Sequence, residues 1–260
     1  MDIALRKFIF RDLRAIKGYI DPPDALVFLS LLRSQEAAGL NGAVAEIGVY
    51  FGRSYFLFRK LCGGGAKIVA IDPFDIPGRE NGRGQYEAFI ENGRRLGLPV
   101  DEELVIKRDS TQVNATDITE KAGKVRFFSI DGGHMLRHVL SDARLAAESL
   151  ADHGVIAFDD TCNPAWPEVT VGVADFLREQ QGRFASFCMT KYKTYVCRQS
   201  FHGLYSQAIA TSPDLLAFGH VQTEFLGSQV TRLENPMRRR IMHEFLVRSG
   251  MGGLSERAYR

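Results

Sequence analysis

Hydrophobic and polar positions along this chain alternate in blocks that predict strands and helices in turn. After a glycine-containing stretch at residues 39–42, short apolar runs typical of buried strands are separated by amphipathic segments typical of helices. The predicted strands are AVAEIG, KIVAID, ELVIKRD, VRFFSID and GVIAFDD, and the predicted helices are SYFLFRKLC, GQYEAFIENGRRLG and HMLRHVLSDARLAAESL. This alternation predicts an α/β fold with a doubly wound, mostly parallel sheet and right-handed crossovers.

Helices are predicted before this core, and a helix and a hairpin at its end. Residues 3–18 carry a helical apolar stripe, and the run Asp21-Pro22-Pro23-Asp24 predicts the start of a second helix that reaches about Ala38. After GVIAFDD, the segment EVTVGVADFLREQ predicts a helix. FASFCMT and TYVCRQ then predict a hairpin that adds an antiparallel edge strand.

The last 60 residues break the alternation. They contain helix-like pieces and one strand candidate, EFLGSQVTRL, and a helix from Met237 to Val247 would bury Ile241, Phe245 and Leu246 in a partner. A homodimer is therefore one hypothesis for this segment, and a lid is the other. We divide the chain into an N-terminal helical segment (1–39), a core (40–200) and a C-terminal extension (201–260).

Composition excludes several classes of function. The 260 residues are 45% hydrophobic and 25% charged, as in ordinary globular proteins, and the net charge of +2 gives no reason to expect nucleic acid. The four cysteines form no C-x-x-C pair, so neither a zinc site nor a disulfide framework is predicted. Apolar runs such as ALVFL are too short to cross a membrane, and the N-terminus lacks a signal-peptide pattern. We expect a cytoplasmic protein without a membrane partner.

Acidic residues end two of the predicted strands. VRFFSID ends at Asp131, which His134 follows, and GVIAFDD ends at Asp159 and Asp160. Parallel strands end at the same sheet edge, so we expect these side chains to lie together. Three carboxylates that lie close together need a cation, and oxygen ligands favour Mg²⁺. The sequence thus predicts a divalent-metal site with His134 as a proton acceptor beside it.

The first predicted strand leads into a glycine turn. Glu46, Gly48 and Gly52 form an E-x-G-x-x-x-G segment between strand and helix, where the backbone approaches a ligand closely. The second strand ends at Asp72, where an acid would bind ribose hydroxyls. Together these features predict an adenosine-type cofactor.

A dinucleotide cofactor is the alternative, and the spacing argues against it. The pattern G-x-G-x-x-G requires glycines at 48, 50 and 53, where this chain has Gly48, Tyr50 and Arg53. Without a pyrophosphate cradle, a nucleoside that lacks phosphates fits better.

The motifs AEIGVYFGRS, IVAIDPF, RDS at 108–110, FFSIDGGH and GVIAFDD resemble those of class I S-adenosylmethionine-dependent methyltransferases. The resemblance covers roughly residues 40–198. The most similar group is the metal-dependent O-methyltransferases that act on sugar hydroxyls of macrolides and related natural products. The resemblance implies a Rossmann-like, seven-stranded sheet, S-adenosylmethionine as cofactor and a divalent metal ion, with Mg²⁺ as the favoured ion.

The resemblance also implies roles for individual residues. Asp72 would bind the ribose, Asp109 and Ser110 would lie near the adenine, and His134 would be the general base. The implied metal ligands are Asp131, Asp159 and Asp160. The implied cofactor-binding residues are Glu46, Gly48, Gly52, Ser54, Asp72, Asp109, Ser110 and Asp131.

Two features depart from the catechol-methylating branch of this group. That branch has Asn where this chain has Asp160, and a minimal enzyme of that kind lacks the long tail and basic N-terminal helix. We therefore predict an O-methyltransferase acting on a hydroxyl of a sugar or another polyhydroxylated small molecule. Another enzyme on this fold, such as an NAD-linked oxidoreductase or a hydroxylase-like relative, and a non-catalytic cofactor-binding protein are the alternatives. The segment PGRENGRG at 77–84 would suit a lid over the bound cofactor.

Overall fold

The computed structural model describes residues 1–76, 78 and 83–251, and in this part of the chain the strands form one nine-stranded sheet. The strand order is β3-β2-β1-β4-β5-β7-β6-β9-β8, and β7 and β8 run antiparallel to their neighbours. The strands are β1 (Ala43–Ile47), β2 (Ile68–Ile71), β3 (Val105–Ile106), β4 (Val125–Ile130), β5 (Leu150–Phe158), β6 (Phe184–Met189), β7 (Thr194–Arg198), β8 (Gly219–Phe225) and β9 (Ser228–Glu234).

Helices cover both faces of the sheet, because successive strand residues point to opposite sides. Val44 and Phe127 pack into one apolar cluster with α1, α2, α3 and α8, whereas Ala45 and Phe128 pack into a second cluster with α5, α6 and α7. The helices are α1 (Ile3–Phe10), α2 (Pro22–Ala37), α3 (Arg53–Cys62), α4 (Gln85–Leu96), α5 (Ala115–Ala122), α6 (Leu136–Ser149), α7 (Pro167–Glu179), α8 (His202–Thr211) and α9 (Met237–Arg248). None of the helices among the described residues is long and apolar enough to span a membrane.

Helix α2 anchors the N-terminal segment to the core. Two prolines occupy its first turn, where a missing N–H costs nothing, and most of its residues are buried. The ring of Phe28 stacks on Phe58 at 4.8 Å between centroids and meets Phe127 edge-on at 5.0 Å. These contacts tie α2 to α3 and β4.

The predicted α/β fold is confirmed, with differences in detail. The first helix ends at Phe10, and a short 3-10 turn over Asp12–Ala15 replaces its predicted second half. Helix α5 was not predicted, although Asn114 and Asp117 form a reciprocal capping box at its start.

The sheet has nine strands among the described residues instead of the seven predicted, and the two additional strands lie at the end beyond β6. The hairpin of β6 and β7 is present, but β7 lies inside the sheet between β5 and β6. The single strand predicted in the extension is a second hairpin, β8 and β9, and β9 pairs with β6 through Thr231 and Arg232. Residues 219–234 thus continue the core sheet.

A lid segment and a C-terminal helix were also predicted. The predicted lid at 77–84 lies largely outside the described residues. The predicted C-terminal helix is present as α9, with Ile241 and Phe245 exposed and Leu246 partly buried.

Candidate active site

A cavity of about 770 Å³ opens at the carboxyl ends of β1, β2 and β4. Strand order reverses between β1 and β4, which is where open α/β sheets bind ligands. Seven of the predicted site residues line this cavity: Gly48, Ser54, Asp72, Asp109, Ser110, Asp131 and His134.

The turn between β1 and α3 needs its glycines for close packing. Gly48 has a φ of +83°, and a Cβ there would lie 1.7 Å from the carbonyl oxygen of Asp131. Gly52, at the start of α3, has a φ of +90°, and a Cβ there would meet the rings of Phe56 and Phe89. Gly48 therefore lets the ends of β1 and β4 meet beside the cavity, whereas Gly52 faces the core and is not among the cavity-lining residues.

Glu46 is a buried carboxylate beneath this turn. Neither of its carboxylate oxygens has a hydrogen-bond partner among the described residues. Burial raises the pKa of Glu46 to about 8, an effect that the nearby Ser54 hydroxyl and the Lys193 ammonium partly offset. An unpaired buried carboxyl group is costly, so this position favours a cationic ligand group.

Asp72 is held rigidly at the end of β2. Its carboxylate accepts hydrogen bonds from the backbone N–H groups of Tyr50, at 2.9 Å, and Phe74, at 2.6 Å. The Asp72 side chain is therefore fixed between the first two strand ends and lines the cavity.

Asp109 and Ser110 form another part of the cavity wall. Hydrogen bonds from Thr111 lower the pKa of the Asp109 carboxyl and fix its side chain. Behind Ser110 lies Asp142 of α6, whose carboxylate oxygens are buried without a partner in the described part of the chain. Burial raises the pKa of Asp142 to about 7, and the Ser110 hydroxyl opposes this shift.

Asp131, His134 and Asp160, which we call the Asp–His cluster, converge on the β4 side of the cavity. One ligand atom of each lies within 4.8 Å of the others, a grouping of the kind that holds a metal ion. His134 Nε2 lies 2.9 Å from Asp160 Oδ2, and Asn163 donates to the other Asp160 oxygen at 2.6 Å. Burial alone would raise the pKa of Asp160, but these two hydrogen bonds lower it below its usual value.

The predicted metal ligand Asp159 points elsewhere. Its Oδ2 forms an ion pair with the ammonium of Lys193, and its Oδ1 accepts from the backbone N–H of Asp160. Burial and the Asp159 carboxylate raise the pKa of Asp131 well above its usual value, whereas Lys193 acts in the opposite direction. Asp131 and Asp160 thus lie close to His134, whereas Asp159 forms an ion pair with Lys193.

Lys193 was absent from the residues proposed on sequence. It precedes β7, and the antiparallel register that pairs Thr194 with Phe158 puts Lys193 beside Asp159. The sequence does show a lysine just before the strand TYVCRQ. Its pairing with Asp159, however, depends on β7 lying next to β5, and the sequence pattern does not predict that strand order.

The cavity mouth carries aromatic and apolar side chains. The ring of Trp166 stacks on the imidazole of His134 with centroids 4.2 Å apart. Tyr19, from the N-terminal segment, is 84% exposed and lines the cavity together with Met135. Arg53 donates from Nε to the carbonyl of Ile16 at 2.8 Å and holds that segment against α3.

A family model described as a methyltransferase domain matches residues 45–161. The matched range begins within β1 and ends just after β5, and it includes Glu46, Asp72 and the Asp–His cluster. The match confirms the predicted methyltransferase domain.

Solved structures of similar fold agree with this match. The O-methyltransferase NovP has a TM-score of 0.56 and 14% identity over 67% of this chain and 78% of that chain. CalS11, a TDP-rhamnose 3'-O-methyltransferase of calicheamicin biosynthesis, has a TM-score of 0.52 and 18% identity over 76% and 88% of the two chains. Cofactor-bound Rv0187 from MTB has a TM-score of 0.51 and 15% identity over 75% and 88%.

A search of curated protein sequences finds no match to this chain. At the identities above, the structural likenesses confirm the predicted class I fold. The domain match separately identifies residues 45–161 as a methyltransferase domain, in agreement with the predicted methyltransferase.

Proposed function

We propose that this chain transfers the methyl group of S-adenosylmethionine to a hydroxyl of a sugar or another polyhydroxylated small molecule, with a divalent cation at the Asp–His cluster and His134 as general base. One observation carries the proposal: a single cavity joins Gly48 and Asp72 to Asp131 and His134. Methyl transfer from a sulfonium is an in-line displacement, so donor and acceptor must share one space.

The cofactor end of the cavity suits S-adenosylmethionine. Its sulfonium and ammonium groups are cations, and Glu46 offers an unpaired buried carboxylate. Asp72 is fixed by two backbone N–H groups at the position where an acid binds ribose hydroxyls. Gly48 lets the ligand approach the backbone, and Asp109 and Ser110 would bind the adenine. Gly52 would act by positioning the start of α3 next to the ligand.

The cation end fits the prediction in part. Asp131 and Asp160 offer carboxylate oxygens close together, as Mg²⁺ or Mn²⁺ requires, whereas Asp159 is paired with Lys193. When bound, the cation would acidify and orient adjacent acceptor hydroxyls. Mn²⁺ belongs beside Mg²⁺ in any test, because an imidazole lies in the cluster.

His134 has the geometry of an oriented base. Asp160 accepts from Nε2, which leaves Nδ1 as the ring nitrogen that would take the hydroxyl proton. An aspartate that holds the ring of a histidine base in one orientation is a recurring device in such pairs. The stacked Trp166 restricts the same ring from its face.

The acceptor class rests on the relatives and on the cavity mouth. The name of CalS11 assigns it to a nucleotide-linked sugar, TDP-rhamnose. In this chain Trp166 and Tyr19 offer aromatic surfaces beside the cluster, and such surfaces pack against the apolar faces of sugar rings. A sugar with two adjacent hydroxyls would meet both the cation and His134.

A substrate panel tests the proposal. The protein is incubated with S-adenosylmethionine and TDP-rhamnose, a glycosylated macrolide or a catechol, and methylated products are measured by mass spectrometry. We expect methylation of a sugar acceptor, its loss in EDTA, and its recovery with Mg²⁺ or Mn²⁺. A preference for the catechol would contradict the acceptor class, and unchanged turnover in EDTA would contradict the cation.

A further inference from the structure

Lys193 is a buried ammonium placed next to an acidic active site. Its side chain is 7% exposed, and its Nζ forms an ion pair with Asp159 Oδ2. The carboxylates of Asp24 and Asp131 also act electrostatically on this ammonium. Lys193 is therefore a fixed positive charge.

The surrounding structure holds Lys193 in place. Its backbone N–H donates to the Thr190 hydroxyl at 3.2 Å, and its carbonyl accepts from the Thr190 N–H at 2.9 Å. The Thr190 hydroxyl donates in turn to buried Asp24 of α2 at 2.7 Å, and the Tyr195 hydroxyl donates to the same oxygen at 2.7 Å. A hairpin and a buried helix thus fix the position from which the ammonium reaches Asp159.

We propose that Lys193 is a positioning residue that acts as an internal cation for the active site, keeping Asp159 out of the ligand set of the exchangeable metal. This inference rests on the proposed function, since the metal site is the Asp–His cluster. A lysine ammonium and a divalent cation compete for the same carboxylate, because each neutralises it at contact distance. With Lys193 in place, the metal has two carboxylate ligands, Asp131 and Asp160.

The consequence is a site that binds metal loosely and keeps its shape without metal. Lys193 offsets one of the three carboxylates that follow β4 and β5, so Asp131 and Asp160 can approach each other with less repulsion. Replacing Lys193 with a neutral residue would free Asp159 as a third oxygen ligand and make the site more negative by one charge. Metal affinity should then rise, whereas a purely structural role for Lys193 would leave it unchanged or lower it.

Mn²⁺ binding to the full-length chain tests this inference, measured by calorimetry and by the loss of the free-ion electron paramagnetic resonance signal. We expect Lys193→Met to bind Mn²⁺ at least about tenfold more tightly than the unmodified chain, as a third carboxylate ligand would produce. The double variant with Asp159→Asn should lose this gain. Lys191→Met, which removes the same charge from an exposed position in the same turn, should change the affinity by less than about threefold.

A second measurement remains informative if Lys193→Met fails to fold. The double variant Lys193→Met/Asp159→Asn removes both charges of the buried pair and leaves the net charge of the site unchanged. Its Mn²⁺ affinity should stay within about threefold of the unmodified chain, because no metal ligand has been lost. A loss of tenfold or more would show that Asp159 is a ligand and would overturn the inference. Equal or weaker Mn²⁺ binding by folded Lys193→Met would overturn it as well.

These results separate the inference from the proposed function. If the unmodified chain binds no Mn²⁺ while Lys193→Met does, Lys193 has replaced the metal, so the internal-cation role stands and metal-dependent catalysis fails. If neither chain binds Mn²⁺, both ideas fail. Methyl transfer to a sugar is measured independently of either outcome.

Discussion

His134 is held in one orientation from two directions. Asp160 contacts its Nε2 at 2.9 Å, and Trp166 stacks on its ring at 4.2 Å. A base must meet its proton with little freedom to turn away, so these contacts suit a proton acceptor. A ring nitrogen of His134 also lies within 4.8 Å of ligand atoms of Asp131 and Asp160, so the base and ligand roles need separate measurements.

Replacing His134 with alanine should lower kcat by about 10²- to 10⁴-fold, the usual contribution of a general base. Binding of S-adenosylmethionine and of Mn²⁺ should change little, as measured by calorimetry. His153→Ala is the control, because His153 instead contacts the Asn41 carbonyl and does not line the cavity. Loss of Mn²⁺ binding in His134→Ala would instead identify His134 as a metal ligand.

Glu46 gives cofactor binding a pH dependence whose sign follows from its burial. With its pKa raised to about 8, Glu46 is mostly protonated in the free protein below that pH. An ammonium group favours the ionised carboxylate. Binding of S-adenosylmethionine below pH 8 must therefore release a proton, and it becomes tighter as the pH rises.

The affinity for S-adenosylmethionine should rise by up to about tenfold per pH unit below pH 8 and level off above it, as one-proton linkage requires. Calorimetric titrations at pH 6.5, 7.5 and 8.5 would measure this slope. Glu46→Gln should bind the cofactor more weakly and with little pH dependence. A similar slope in that variant would assign the proton to another group.

At the scale of elements, the β1–α3 turn depends on a contact with the end of β4. Gly48 N–H donates to the Ile71 carbonyl, and Asp131 N–H donates to the Ile47 carbonyl, so three strand ends are linked at this point. A side chain at position 48 would strike the Asp131 carbonyl. This turn therefore sets the distance between the cofactor end of the cavity and the Asp–His cluster.

Gly48→Ala should destabilise the fold by about 3 kcal/mol or more, because a positive φ and a backbone clash add together. Gly97→Ala is the control: its φ of +65° and ψ of +27° are left-handed helical, and nothing lies within 4 Å of an added Cβ. It should cost about 1 kcal/mol, from the positive φ alone. Urea denaturation measures both values, and equal losses would show that the Asp131 contact carries no energy.

At the scale of the whole molecule, two helical layers close on one sheet, and the cavity lies where the strand order reverses. Strands β1, β2 and β4, the N-terminal segment and the start of α7 all contribute to its wall. A ligand bound there contacts both the core and the N-terminal segment. Binding should therefore stabilise the molecule as a unit.

S-adenosylmethionine at 100 times its Kd should add about 2.7 kcal/mol to the free energy of unfolding, whereas NAD should add none. A thermal-shift assay would show this as a rise of a few degrees in Tm for the first cofactor only. Glu46→Gln should show a smaller rise at the same concentration. A shift with NAD instead would favour the oxidoreductase alternative.

Much of this protein follows from its sequence. The apolar runs predicted the strands of the core and their order along the chain, because a buried parallel strand must be apolar on both faces. The acids at positions 72, 131 and 160 lie at one sheet edge because the strands that they follow run parallel to one another. Helix α5 was missed even though its capping box is a local signal. The β8–β9 hairpin was predicted only as a single strand, because no residue of β8 is fully buried and its apolar pattern is weak.

Local periodicity and motifs along the chain were enough to predict the fold class, the methyltransferase domain and the residues at the strand ends. Which acidic side chains contact one another became apparent only in the folded chain. The antiparallel register of β7 against β5 puts Lys193 beside Asp159, and the φ of +57° at Asp160 accompanies its contact with His134. Charge pairing between distant segments depends on strand order and register, and neither is written in the local pattern of hydrophobic and polar residues.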